Sequence, residues 1–174
     1  MSAVTHDFRE RLAFSESASA EPFWDAVYRK AFPSLVNHMQ TTGATTSQRM
    51  GIDRVLHLSN GQTITVDEKK REREYSDILL EYISNDKTGA PGWIEKDLAI
   101  DYLAYAFMPT QRCYLYPWHM LRRAWIHFSP EWKQLYRPVA AQNAGYTTWS
   151  LPVPIPILRS AVGRAMIIDV DLSH

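Results

Sequence analysis

The sequence predicts an α+β fold in which a mixed β-sheet is flanked by helices. Three patterns support this prediction: helical spacing of apolar residues after Glu21, a hairpin signature at Asn60 and Gly61, and later strand-length apolar runs that alternate with a helical stripe. A chain of 174 residues can bury a core without disulfides or structural metal. We therefore expect a loosely held arm over residues 1–20 and one folded domain over residues 21–174.

Composition excludes several classes of protein. The single cysteine, Cys113, rules out a disulfide framework and a zinc site built from several thiolates. With no signal-peptide pattern at residues 1–12, it predicts a reducing, cytoplasmic setting. No apolar run approaches membrane-spanning length, so we expect no membrane role. The 19 basic and 19 acidic residues argue against a histone-like binder but allow a local basic patch.

The first predicted element is an amphipathic helix of about three turns. Pro22 suits its first turn, and it should end before Pro33. Apolar residues recur at helical spacing: Phe23, Trp24, Val27, Tyr28 and Ala31. The polar segment at residues 40–50 then predicts a loop.

A β-hairpin is predicted from strands at residues 53–58 and 63–69. A two-residue loop would pair Asp53 with Glu68 and scatter the apolar residues, whereas a three-residue loop with Gly61 as a bulge pairs Leu56 with Ile64. We favour the second register because it gathers one apolar face, formed by Leu56, Leu58, Ile64 and Val66. It also places three polar side chains together on the other face: Asp53, Asp67 and Lys69.

The remaining elements are predicted from apolar runs. Residues 77–83 form a third strand, expected to be central and covered on both faces. Residues 98–108 fit a strand or a helix, and their tyrosines favour a strand. A short strand at residues 113–116 leads into a helix that begins at Pro117. Three prolines predict an irregular last third, followed by a helix at residues 157–166 and an edge strand at residues 167–170.

The hairpin carries the sharpest chemical pattern. Asp53 is followed fourteen residues later by Asp67, with Lys69 two residues further along the same strand. Two carboxylates on one face can hold Mg²⁺ or Mn²⁺ through oxygen ligands, and the lysine can orient a water or neutralise charge on a phosphate. The alternative is a solvated strand face with a surface ion pair.

Residues of this hairpin and later segments resemble the PD-(D/E)XK nuclease superfamily, and in wider layout uncharacterised phage and prophage nuclease-like proteins. The similar segments are GIDRVLHLS, TITVDEKKR, DILLEYIS, GWIEKDLAIDYLAY and YTTWSLPVPI, within about residues 21–160. The resemblance implies a restriction-endonuclease-like α-β-β-β-α-β core, a divalent metal, and cleavage of DNA more often than RNA. It implies that Asp53 and Asp67 are metal ligands and Lys69 the catalytic lysine. Ile52 stands where the family pattern has proline.

Further candidates surround this motif. Glu81 lies among apolar residues and needs a partner, either at the metal site or in an ion pair with an arginine. Lys70, Arg71 and Arg73 follow the catalytic strand and predict a phosphate-contacting edge, unless they form a solvated turn. Trp93, in a glycine-rich turn, is expected to be exposed and to stack on a base.

Other residues have simpler expected roles. Glu21 and Asp25 suit the start of a helix, although an acid there also fits a nuclease site. Asp101 is a lesser candidate in its apolar strand. Core positions are expected for Trp24, Trp118, Trp125 and Cys113. His57, His119 and His127 share no ligand spacing, and no glycine-rich phosphate loop is present.

Three functions remain open from the sequence. A Mg²⁺- or Mn²⁺-dependent endo- or exonuclease acting on DNA is favoured, and a homodimer is one arrangement that would cut both strands. The first alternative is a non-catalytic nucleic-acid-binding or protein-interaction module that retains the nuclease fold. The second is a structural protein whose acidic face is incidental.

Overall fold

The computed structural model describes residues 20–41 and 50–172, and shows an α+β arrangement of two β-sheets and three α-helices. The predicted arm, apart from Ala20, lies outside the described residues, as does most of the predicted loop at residues 40–50. None of the described helices is both long and apolar enough to cross a membrane. The helices are α1 at residues 20–31, α2 at Trp118–Leu135 and α3 at Ile155–Val162, with a short 3₁₀ helix at Trp93–Glu95.

The larger sheet has six strands in the order β1-β2-β3-β6-β7-β10. Strand β3 runs parallel to β6, and the other neighbours are antiparallel. Its strands are β1 at Leu35–Gln40, β2 at Arg54–Leu58, β3 at Thr63–Arg71, β6 at Tyr102–Phe107, β7 at Arg112–Pro117 and β10 at Met166–Asp169. The strand alternative for residues 98–108 is therefore correct, and β10 is the edge strand expected near residues 167–170.

The smaller sheet has four antiparallel strands in the order β5-β4-β9-β8. Its strands are β4 at Asp77–Asn85, β5 at Ala90–Pro91, β8 at Val139–Asn143 and β9 at Tyr146–Pro154. The predicted third strand is thus real but lies in a different sheet from the hairpin. It is not covered on both faces, because buried Ile78 and Leu80 alternate with half-buried neighbours.

The favoured hairpin register is confirmed. Leu56 pairs with Ile64, and Gly61 has a φ of +83°, a conformation that glycine adopts without strain. Leu56 and Val66 are fully buried against the helix α1, which begins close to where the sequence predicts. This register is what turns Asp67 and Lys69 to the opposite face of β3.

Two apolar cores flank the larger sheet. One lies between α1 and the sheet, and includes Trp24 and Cys113. The other lies between the two sheets and the helices α2 and α3, and includes Trp118 and Trp125. All four residues occupy the core positions expected from the sequence, and burial raises the pKa of the Cys113 thiol well above its usual value.

Two expectations for the later chain are wrong. The prolines do not make residues 146–154 irregular, because Val139 at one end of β8 pairs with Ser150, which leaves Pro152 and Pro154 beyond that neighbour. The connection from β3 to β6 also contains no α-helix. It consists of β4, β5 and the 3₁₀ helix, so an α-β-β-β-α-β order is not followed at that step.

Candidate functional site

The two carboxylates predicted as metal ligands meet at the hairpin. The backbone N–H of Asp53 donates to the carbonyl oxygen of Val66 at 2.9 Å, and its Oδ2 accepts from the backbone N–H of Glu68 at 2.8 Å. These bonds hold Asp53 beside β3, close enough to Asp67 for its carboxyl to raise the Asp67 pKa. Asp67 is only 2% exposed and forms an ion pair with Lys69 through Oδ1. The structure therefore brings Asp53, Asp67 and Lys69 together.

The electrostatics of this cluster favour a cation. Burial raises the pKa of Asp67 to about 7, and the neighbouring carboxyl of Asp53 adds to the increase, while the Lys69 ammonium opposes it. One lysine thus does not fully compensate two adjacent carboxylates. A divalent ion would stabilise the charged forms of both, because hard cations bind anionic oxygens.

Glu81 lies on β4 in the smaller sheet, within electrostatic range of Lys69. It precedes an irregularity in β4, where Glu81 pairs with Ser150 but Ile83 pairs with Trp149, and such bulges redirect side chains. Burial raises the pKa of its carboxyl, and the nearby backbone N–H of Trp93 and the charges of Lys96 and Lys69 partly oppose that rise. Glu81 therefore belongs to the second sheet and not to a strand beside β3. The cations that act on its carboxyl are the lysines Lys96 and Lys69, where an arginine was the expected alternative.

The opposite face of the hairpin carries a polar network that the sequence interpretation missed. Arg54 is 1% exposed, and its guanidinium donates to Glu68 at 2.5 Å and to both carboxylate oxygens of Glu21 at 2.6 and 3.0 Å. The Tyr28 hydroxyl also donates to Glu68 at 2.8 Å. The signal was present, because strand periodicity places Arg54 and Glu68 on the apolar face with Leu56 and Val66, where a charge needs a partner.

This network extends to the edge of the sheet. His38 on β1 accepts from Arg54 through Nδ1 at 2.9 Å and donates through Nε2 to Asp25 at 2.9 Å. The Arg29 guanidinium lowers the pKa of Asp25, burial partly opposes this effect, and His38 adds to the lowering. Glu21 and Asp25 thus hold α1 to the sheet and do not join the cluster of Asp53 and Asp67.

The structure also places the residues predicted to contact nucleic acid. Trp93 is 8% exposed and its ring centroid lies 6.4 Å from that of Trp118, so the expectation that Trp93 is exposed is wrong. Arg71 forms an ion pair with Asp77 at 3.2 Å and lies over the ring of Tyr75 at 3.6 Å, so its guanidinium is already engaged.

Three other candidates from the sequence, Lys70, Arg73 and Asp101, can also be located in the structure. Lys70 and Arg73 have exposed side chains near the end of β3. Asp101 lies just before β6 rather than within a strand, and its Oδ2 accepts the backbone N–H of Thr65 at 2.8 Å and the Thr65 hydroxyl at 3.1 Å. This bonding gives Asp101 a structural role in joining β3 to the segment before β6.

The side chains of Asp53 and Asp67 can be compared with the ligands that a divalent metal ion requires. In the described part of the chain, no group of three or more His, Cys, Asp or Glu residues could hold an ion by itself. Two carboxylates are nevertheless enough for Mg²⁺, which usually keeps several waters and takes further oxygens from substrate phosphates. The buried pair of Asp53 and Asp67 fits that requirement. The chain matches no model of a known protein family, no curated protein and no solved structure.

Proposed function

We propose that this protein is a metal-dependent DNA phosphodiester hydrolase of the PD-(D/E)XK type. The observation that carries the proposal is the convergence of Asp53, Asp67 and Lys69 on one face of a hairpin whose second strand pairs in parallel with β6. The order of α1, three antiparallel strands and a parallel fourth strand supports a restriction-endonuclease-like core, although the connection to that fourth strand has no α-helix.

Asp53 and Asp67 would hold Mg²⁺ or Mn²⁺ through their carboxylate oxygens. When bound, the ion would polarise the phosphate and lower the pKa of a bound water. Its binding requires that Asp67 lose the proton that burial favours near neutral pH. The backbone N–H of Glu68 fixes the Asp53 carboxylate for this role.

Lys69 supplies an accessible positive charge at the proposed site. Its side chain is 32% exposed, so the ammonium is accessible to a substrate while it neutralises Asp67. In that position it can donate to the attacking water or to a phosphate oxygen on which charge develops. Glu81 lies within electrostatic range of Lys69, and its raised pKa suits a group that accepts a proton from, or orients, that water.

Plasmid cleavage tests the proposal directly. Purified protein should convert supercoiled plasmid to nicked or linear forms with Mg²⁺ or Mn²⁺ and leave it intact with EDTA. Lys69→Met should abolish this conversion, while Lys87→Met, which removes an exposed ammonium in the turn between β4 and β5, should not. Likewise, Asp67→Asn should abolish it, while Asp169→Asn on the edge strand should not.

The outcomes separate this enzyme from the non-catalytic alternative. Cleavage by Lys69→Met at the wild-type rate would refute the proposed site. Wild-type protein that binds DNA but leaves the plasmid intact under every divalent condition would favour a binding module with the same fold. A melting temperature measured on each preparation ensures that a loss of cleavage is not a loss of folding.

A further inference from the structure

A groove of about 340 Å³ lies between α2 and the segment that follows the 3₁₀ helix. Apolar side chains form part of its lining: Leu98, Trp118 and Ile126. Leu98 and Trp118 are buried, but Ile126 is 65% exposed on the surface of α2. The groove therefore has a buried apolar floor and an exposed aliphatic side chain that a ligand can cover.

The polar lining of the groove is mainly basic. It consists of Arg122, Arg123, His119 and Asp97. The Arg122 guanidinium donates to the carbonyl oxygen of Ile94 at 2.6 Å, which anchors it, whereas the Arg123 side chain is exposed. The Arg122 guanidinium also lies 3.9 Å from the Glu95 carboxylate, so it is the exposed Arg123 that offers a guanidinium to an anionic ligand, with Asp97 partly offsetting its charge.

The groove adjoins the candidate active site along two connections. Leu98 packs against Gly51, two residues before Asp53, because a Cβ on Gly51 would lie 2.8 Å from Leu98 Cδ2. The backbone N–H of Ala99 also donates to the carbonyl oxygen of Met50 at 3.1 Å. On the other side, Lys96 directly precedes Asp97 and acts electrostatically on Glu81. A strand lying in the groove would therefore continue toward the cluster of Asp53 and Asp67.

We infer that this groove binds a single-stranded segment of the DNA substrate, with a phosphate against Arg123 and a base against Ile126. Cations beside an apolar surface are the combination that binds unpaired strands, because bases within a duplex do not expose their faces. The inference rests on the proposed function. It transfers the principal DNA contact from the predicted residues Arg71 and Trp93 to α2 and its facing segment.

Binding measurements in EDTA test the groove without requiring cleavage. The probe is a short fluorescent oligodeoxythymidine, followed by anisotropy over a range of salt concentrations. Arg123→Ala should weaken binding about three- to tenfold and reduce the slope of log K against log salt by about 0.7, the value for one phosphate contact on a single strand. Asp97→Asn should tighten binding. The control Arg137→Ala, two residues beyond the C-terminal end of α2, should change neither quantity.

An apolar substitution tests the proposed base contact. Ile126→Ser should weaken binding of the single strand without altering the salt slope, and should leave binding of a duplex of the same sequence unchanged. Equal effects on single strand and duplex would overturn the base contact, and an unchanged affinity in both Arg123→Ala and Asp97→Asn would overturn the groove. Plasmid cleavage that depends on Lys69 but not on Arg123 or Asp97 would retain the nuclease and reject the groove. If the substitutions at Arg123 and Asp97 change oligonucleotide binding but the protein cleaves no plasmid, the groove is retained and the nuclease is rejected.

Discussion

Replacement of Asp67 by asparagine should stabilise the metal-free protein at alkaline pH. Asp67 is 2% exposed, and burial together with the Asp53 carboxyl raises its pKa from 3.8 to about 7. At a pH between these two values, Asp67 is therefore protonated in the folded state and ionised in the unfolded state. Stability contributed by the neutral form is complete below pH 4 and is lost as the pH rises through 7.

The pKa values set the size of the effect. The difference between 3.8 and about 7 corresponds to about 4 kcal/mol of destabilisation once Asp67 is charged in both states. Relaxation and water penetration lower such penalties in real proteins, so we expect a gain of about 1–3 kcal/mol for Asp67→Asn at pH 8. The gain should be less than half as large at pH 5, because only the interval between pH 3.8 and pH 5 contributes there.

Urea unfolding of both proteins in EDTA at pH 5 and pH 8 measures this difference. Comparison of the two proteins at each pH cancels the contributions of other titrating groups that the substitution leaves alone. The reasoning would be refuted if Asp67→Asn were less stable than the wild type at pH 8, or if its gain in unfolding free energy were the same at pH 5 and pH 8. Added Mn²⁺ should stabilise the wild type but not Asp67→Asn, because only the wild type keeps both anionic ligands.

Four other substitutions have distinct expected results. Asp53→Asn should weaken Mn²⁺ binding in calorimetric titration, and an unchanged affinity would remove Asp53 from the metal site. Glu81→Gln should keep the wild-type melting temperature but lose cleavage, whereas a destabilised and fully active variant would make Glu81 structural. Gly92→Ala should be more destabilising in urea than Gly145→Ala, because its Cβ would lie 2.2 Å from the Glu81 carbonyl oxygen while a Cβ on Gly145 meets nothing within 4 Å. Arg54→Met should cost about 3–5 kcal/mol by leaving Glu68 and Glu21 unpaired, and the added change Glu68→Gln should restore part of that stability.

Much of the candidate site could be predicted because it is local. Asp53, Asp67 and Lys69 belong to one hairpin, and a single choice of register decides which face each side chain occupies. That choice depended only on the alternation of Leu56, Ile64 and Val66. Arg54 and Glu68 followed from the same register, but their partner Glu21 lies on a helix 33 residues before Arg54, which no local pattern reveals.

The contacts of Trp93 and Arg71 illustrate the opposite case. A tryptophan in a glycine-rich turn has no periodicity, so its sequence context could not show that it packs against Trp118 on α2. Arg71 is similar, since the strand pattern does not show that the chain after β3 turns back and places Asp77 within 3.2 Å. The burial of Trp93 and the pairing of Arg71 both depend on elements that are distant in the chain or follow a turn.

The sequence by itself determined the α+β class, the helices near residues 21 and 118, the hairpin register and the shared face of Asp53, Asp67 and Lys69. Only the tertiary structure decided that β4 belongs to a second sheet, that Glu81 of this sheet lies within electrostatic range of Lys69, and that α2 and the segment after the 3₁₀ helix form a groove. The physical reason is the range of the interactions. Periodicity reports which face of one element is buried, whereas the partner that buries it is selected by packing between residues far apart in the chain.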